Sequence, residues 1–209
     1  MKKKEIEKFA NLHLLPALSG FCVRGHLLYE VPVGNILRAF LFESSGFSAT
    51  AFYPQVFVQP LYIPSDYLTL NTGRRFLGPW EFDAGTEVQL GQRLLSHIHS
   101  AGLPFLRAHG TLEGIIRETK ANPSVNVNPH LRQQLAYSLL LLGRNDEGLD
   151  ELDKTLSILN RSRDRAPWEH TLLEEVGALR EKLKRNPVEV VETLHAWTEQ
   201  TRQQLKLPA

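Results

Sequence analysis

The segment 135–159, LAYSLLLLGRNDEGLDELDKTLSIL, constrains the fold more tightly than any other part of the chain. Leucines recur at helical spacing on both sides of Gly143, so two apolar helical faces meet at a glycine turn. Ala136, Gly148 and Thr155 are small, and they fall where two such helices would touch. The second half of the chain therefore reads as stacked helices. Leu135, Leu139, Leu142, Leu149, Leu152 and Leu156 are expected to bury against one another and towards a sheet formed by the first half. Each fully buried leucine contributes about 1.5–3 kcal/mol in transfer terms, which outweighs surface ion pairing.

Upstream the apolar period changes. Residues 3–18 carry Ile6, Phe9, Leu12 or His13, Leu15 and Leu18 at helical spacing, with Pro16 expected to kink or shorten the helix and Gly20 suited to a left-handed cap. Residues 21–31 and 36–42 are then rich in strand formers, separated by the turn Pro32-Val33-Gly34-Asn35. A third strand over 51–62 points Phe52, Val56, Val58 and Tyr62 one way and Tyr53, Gln55, Phe57 and Gln59 the other. Pro54 and Pro60 lack backbone donors and predict that this strand is an edge or is broken by a bulge. A fourth strand is expected around 67–70 or 75–77. Every connection is too short for a parallel crossover, so the sheet is an antiparallel meander of three or four strands.

From residue 83 the pattern is helical, with helices predicted over 86–100, 111–121, 129–142, 146–160, 167–184 and 187–205. Thr111 and Asn186 are expected N-caps, and Gly102 and Pro104 are expected to end the first of these helices. The fold class is α+β: a helix and small sheet over 1–82, and a helical region over 83–209 packed on it as one continuous unit.

Composition excludes several functions. The 209 residues carry a net charge of +1, which gives no field for gathering nucleic acid or anionic lipid. Cys22 is the only cysteine, so an internal disulfide and a cysteine-based zinc site are ruled out. Charged residues interrupt the N-terminus as far as His13, and no apolar run approaches a membrane span, which leads us to expect a cytoplasmic protein. The triplet Asn160-Arg161-Ser162 has no meaning as a glycosylation acceptor in that compartment.

No reactive constellation stands out. His97-Ile98-His99 would serve a metal only in a strand; on a helix the two imidazoles point about 200° apart. Cys22 between Phe21 and Val23 reads as a structural thiol, and Ser44, Ser45 and Ser48 around Gly46 as a polar loop. The most suggestive segment for recognition is 71–82, where Arg74 and Arg75 accompany Phe76 and Trp80 in the combination typical of binding hot spots. The same side chains could instead close the open end of the sheet. Tyr53 and Phe57 offer a second contact surface if their face of the sheet is uncovered.

Two resemblances follow from these residues. Residues 129–160 resemble one tetratricopeptide unit, with Ala136, Gly148 and Thr155 in its small-residue slots, Gly143 at its turn, and Arg132 and Leu139 where that motif carries aromatics. Residues 3–117 resemble a bacterial domain-of-unknown-function family. The resemblance rests on Leu14-Leu15-Pro16, Gly20-Phe21, the meander, Gly78-Pro79-Trp80-Glu81-Phe82 and Gly102-Leu103-Pro104-Phe105-Leu106 in that order. It implies an α+β build and an immunity-type or other interaction role, and it assigns no catalytic residue. The expectation is a non-enzymatic module that binds a protein partner through Arg74, Arg75, Phe76, Trp80, Tyr53 and Phe57, with no metal, cofactor, membrane or nucleic acid. The alternative is a small hydrolase or nucleotide-processing enzyme whose residues are dispersed in sequence.

Overall fold

A computed structural model describes residues 2–78, 80–83, 85–161 and 164–208. Met1 of the basic run, Pro79 of the aromatic segment and Ser162 of the Asn-Arg-Ser triplet lie outside the described residues. The fold is α+β, 57% helical and 16% strand. Its residues group into two compact units, one made of 1–59, 67–110 and 207–209, the other of 60–66 and 111–206. The sheet is thus grouped with the helices up to Gly110, and the remaining helices form the second unit.

In the first unit α1 (Lys3–His13) buries Ile6, Phe9 and Ala10, and Pro16 sits in a short 3-10 turn (Leu15–Ala17) that ends the helical run. Among the described residues the sheet has six antiparallel strands rather than three or four: β1 (Phe21–Arg24), β2 (Leu27–Glu30), β3 (Ile36–Ser44), β4 (Ala51–Pro60), β5 (Thr72–Arg75) and β6 (Trp80–Glu81). Strands one to five follow in chain order across the sheet, and β6 pairs with β4. The run expected as a single strand over 21–31 is a hairpin, because Arg24 and Leu27 are opposed across the two-residue loop Gly25-His26. Gly25 has φ +61° while His26 does not share the positive φ, the combination of a type II′ turn, which needs glycine at its first central position.

β4 is an interior strand, with β3 on one side and β5 and β6 on the other. The prolines are accommodated by a gap in the neighbouring strand. Val56 opposes Arg74 and Gln55 opposes Arg75, whereas Phe52 opposes Trp80. The neighbour therefore leaves β4 between Phe76 and Trp80, facing Tyr53 and Pro54. The Phe76 amide donates to the Pro54 carbonyl at 2.8 Å, and the donor that Pro54 lacks would point to the same side, where pairing stops.

Helix α2 (Glu87–His97) does not end at Gly102 as its sequence suggests. It passes through a π turn (Ile98–Gly102) into α3 (Leu103–His109), with Pro104 in the first turn of α3. A Cβ at Gly102 would lie 2.4 Å from the Phe40 ring, so glycine lets the turn seat directly on the sheet.

The second unit holds α4 (Leu112–Ala121), a 3-10 turn (Pro123–Asn126), α5 (Pro129–Leu141), α6 (Asn145–Leu159), α7 (Pro167–Arg185) and α8 (Pro187–Gln204). Thr111 and Asn186 accept the expected capping bonds, from the amides of Gly114 and Val188. At the α5–α6 turn the Gly143 amide donates to Leu140 and the Arg144 amide to Leu139, closing a Schellman motif around Gly143 at φ +72°. Ala136 and Thr155 are fully buried, and a Cβ on Gly148 would meet the Leu140 side chain at 2.5 Å. Of the six leucines expected inside, Leu135, Leu139 and Leu152 are buried, while Leu142, Leu149 and Leu156 are only partly so. The buried stripe of α6 runs instead through Gly148, Glu151, Leu152, Thr155 and Leu159.

Two polar locks complete this unit. Arg132 of α5 pairs with Glu151 of α6, with side chains only 11% and 10% exposed, and also donates to Asn126 at 2.8 Å. The Tyr62 hydroxyl donates to Ser138, which must pass its own proton to the Gln134 carbonyl at 2.6 Å, and burial raises the Tyr62 phenol far above its ordinary value. Among the described residues no helix is long and apolar enough to cross a membrane.

Removing one partner of a buried pair strands the other charge. Glu151→Ala should therefore cost about 3–5 kcal/mol in urea unfolding followed by circular dichroism, whereas Glu181→Ala, itself exposed where it pairs with Arg180 and Lys184, should cost under about 0.5 kcal/mol. A pH effect follows at His26, where burial and then the nearby Lys3 charge hold the imidazole below its ordinary value. The folded state thus binds this proton less well than the unfolded chain. Stability is full above the ordinary value of about 6.5 and falls as pH drops through the lowered folded value. In His26→Gln the loss of unfolding midpoint between about pH 7.5 and about pH 5.5 should be smaller than in the parent chain.

Candidate functional site

The residues singled out for recognition separate into buried and exposed sets. Phe76 and Trp80 are buried on the face of the sheet that carries Phe40, with ring centroids 6.3 Å apart for Phe40 and Phe76. His97 packs edge-on to Trp80 at 5.0 Å and lies 6.1 Å from Phe76, while Arg93 stands over the Trp80 ring at 5.6 Å. Phe57 is 0% exposed. These three aromatics are core, which removes them from a partner's reach. Large rings gain more from burial than the segment's polar neighbours could offer at a surface.

Arg74, Arg75 and Tyr53 remain available. Arg75 lies 5.0 Å over the Tyr53 ring and pairs with Glu43 on β3, the two charged side chains being 52% and 48% exposed. Arg74 is exposed and projects from the opposite face of the same strand. Gln59, expected beside Tyr53 and Phe57 at a surface, is buried instead. Its amide donates to the Tyr67 carbonyl at 3.2 Å and accepts from the Thr69 amide at 2.9 Å, pinning the chain that leads into β5.

The backbone of β5 matters as much as its side chains. In an antiparallel ladder the N–H and C=O of one residue point to the same neighbour, and successive residues alternate. The Phe76 amide bonds to Pro54, so Arg74 and Thr72 also face β4, and Gly73 and Arg75 face outward. Among the described residues no strand lies on that outer side, since β5 ends the strand order, and Gly73 and Arg75 are both exposed. The structure therefore presents two outward amides and two outward carbonyls, flanked by two guanidinium groups. Leu77, the next residue but one after Arg75, is 94% exposed.

A groove of about 570 Å³ lies between α1, the start of α2 and the loop before β4. Phe9, Leu12, Phe82 and Val88 give it apolar walls, with Lys8, Glu5 and Glu87 among its polar groups. Both carboxylates already accept backbone amides, from Lys2 at 2.6 Å and Gly85 at 2.9 Å. Both charge signs line this groove, so it selects no ligand charge.

The other sequence candidates fall into structural roles. His97 bonds the Arg93 carbonyl at 3.1 Å and packs on Trp80, while His99 is exposed within the π turn. No three His, Cys, Asp or Glu side chains among the described residues are placed to hold one ion. Cys22 is half-buried in β1 opposite Tyr29. Ser45 and Ser48 staple their own loop by accepting the amides of Phe47, Ser48, Thr50 and Ala51.

Comparison with protein families, curated proteins and solved structures finds no match to this chain. Burial separates the two kinds of residue in the 71–82 segment by a wide margin. Trp80→Ala should destabilise the protein by about 3–5 kcal/mol, and Arg74→Ala by under about 0.5 kcal/mol, both read as shifts in the urea midpoint.

Proposed function

We propose that this chain is a non-enzymatic protein-binding module, immunity-type or adaptor, that takes a partner segment as an added strand on β5. The observation that carries the reading is the outward pair of backbone groups on Gly73 and Arg75 at an exposed sheet edge. Strand addition uses main-chain hydrogen bonds for affinity and the alternating side chains for choice of partner. Four such bonds at about 0.5–1.5 kcal/mol each are weak by themselves once association costs are met. The flanking Arg74, Arg75, Tyr53 and Leu77 supply the remaining contacts.

Proline separates this mode from ordinary side-chain contact. The Arg75 amide points away from β4, so Arg75→Pro deletes the outward donor and spares the ladder to β4. Arg75→Ala removes the same side chain and keeps the amide. Tagged full-length protein should recover a specific partner from its source cells, and Arg75→Pro should abolish that recovery while Arg75→Ala only weakens it, at unchanged melting temperature. Equal recovery by the proline variant would contradict the reading.

A further inference from the structure

We infer that the strand added on β5 comes from a different protein and carries two consecutive acidic residues, opposite Arg74 and Arg75. This inference rests on strand addition as the mode of binding. Residues facing one another across an antiparallel pair lie about 4.5–5.5 Å apart at Cβ, so each incoming side chain meets one side chain of β5. Arg74 stands on one face of the sheet and Arg75 on the other, next to Tyr53. Neighbouring residues of the incoming strand likewise alternate between faces. An acidic pair in sequence therefore meets both arginines together, one above and one below the sheet.

Charge also decides against the most common occupant of an open edge, a second copy of the same chain. Two β5 strands laid side by side would crowd four guanidinium groups into a span of four residues, and like charges directly opposed are unfavourable. Glu43 already pairs with Arg75, but the pair is about half exposed and the guanidinium has five donors, so a second carboxylate can share it. Gly73, immediately before the two arginines, carries no side chain to obstruct the incoming backbone. A Cβ there would lie 2.9–3.0 Å from Gln55, Phe57 and Val56, which is how closely β5 hugs β4.

The test uses the full-length protein and three labelled, end-capped peptides of valine and threonine that differ only in a central Glu-Glu, Gln-Gln or Lys-Lys pair. Fluorescence anisotropy should show the Glu-Glu peptide binding about tenfold more tightly than Gln-Gln, with Lys-Lys weakest. That preference should shrink as salt rises from about 0.05 to about 0.5 M. The double variant Arg74→Glu, Arg75→Glu should invert the order and favour Lys-Lys. Equal binding of Glu-Glu and Gln-Gln would overturn the acidic assignment and leave strand addition standing. Binding by none of the three would overturn strand addition itself, and so would an order unaffected by the double variant. Concentration-dependent dimerisation of the free chain that Arg75→Pro abolishes would show that β5 pairs with its own copy, and would overturn the inference from the other side.

Discussion

The seam of Phe40, Phe76, Trp80 and His97 holds the last strand of the sheet in place, and the character of the candidate site depends on it. Phe76 follows β5 directly and Trp80 opens β6, so the two rings anchor both ends of the segment that leaves β4 between them. With those rings inside, the charged residues before them have only the surface to occupy. β5 is consequently short and firmly tethered at its end, yet bare along its outer side. Short edge strands with charged side chains are the usual guard against indiscriminate pairing. The same cationic edge still leaves main-chain groups open to a strand of opposite charge.

In the second unit the organising constraint is the close approach of α5 and α6. Gly148 and Ala136 permit the contact and Gly143 permits the turn, so the helices pack closely enough to enclose an ion pair. Arg132 of α5 pairs with Glu151 on the buried stripe of α6, so a charged lock sits within the helix crossing. Removing either member of such a pair leaves the other charge buried and unpaired, so the lock depends on both.

The helices and their caps were readily legible in the sequence. Thr111, Asn186 and Gly143 act locally, through bonds within a few residues, so their roles survive without knowledge of the rest of the fold. The sheet was less legible because its errors came from distant pairing. Pro54 looks like an edge residue until the gap between β5 and β6 is seen opposite it. Gly25-His26 looks like strand interior until Arg24 is found opposed to Leu27. Gly102 and Pro104 look like terminators, yet the π turn carries the helix through them, with Gly102 pressed against Phe40. Within the site, Arg74 and Arg75 could be named from composition. Which face of β5 was bare could not, since that parity is set by a single backbone bond from Phe76 to Pro54.

The account stands or falls on the outward direction of the Gly73 and Arg75 amides. Amide hydrogen exchange of the free protein, resolved residue by residue by nuclear magnetic resonance, measures that direction without reference to any partner. The geometry predicts that Arg74 and Phe76 are protected while Gly73 and Arg75 exchange about as fast as exposed loop amides. Protection of all four, or the opposite alternation, would mean that β5 is covered or turned over, and the proposed edge would not exist.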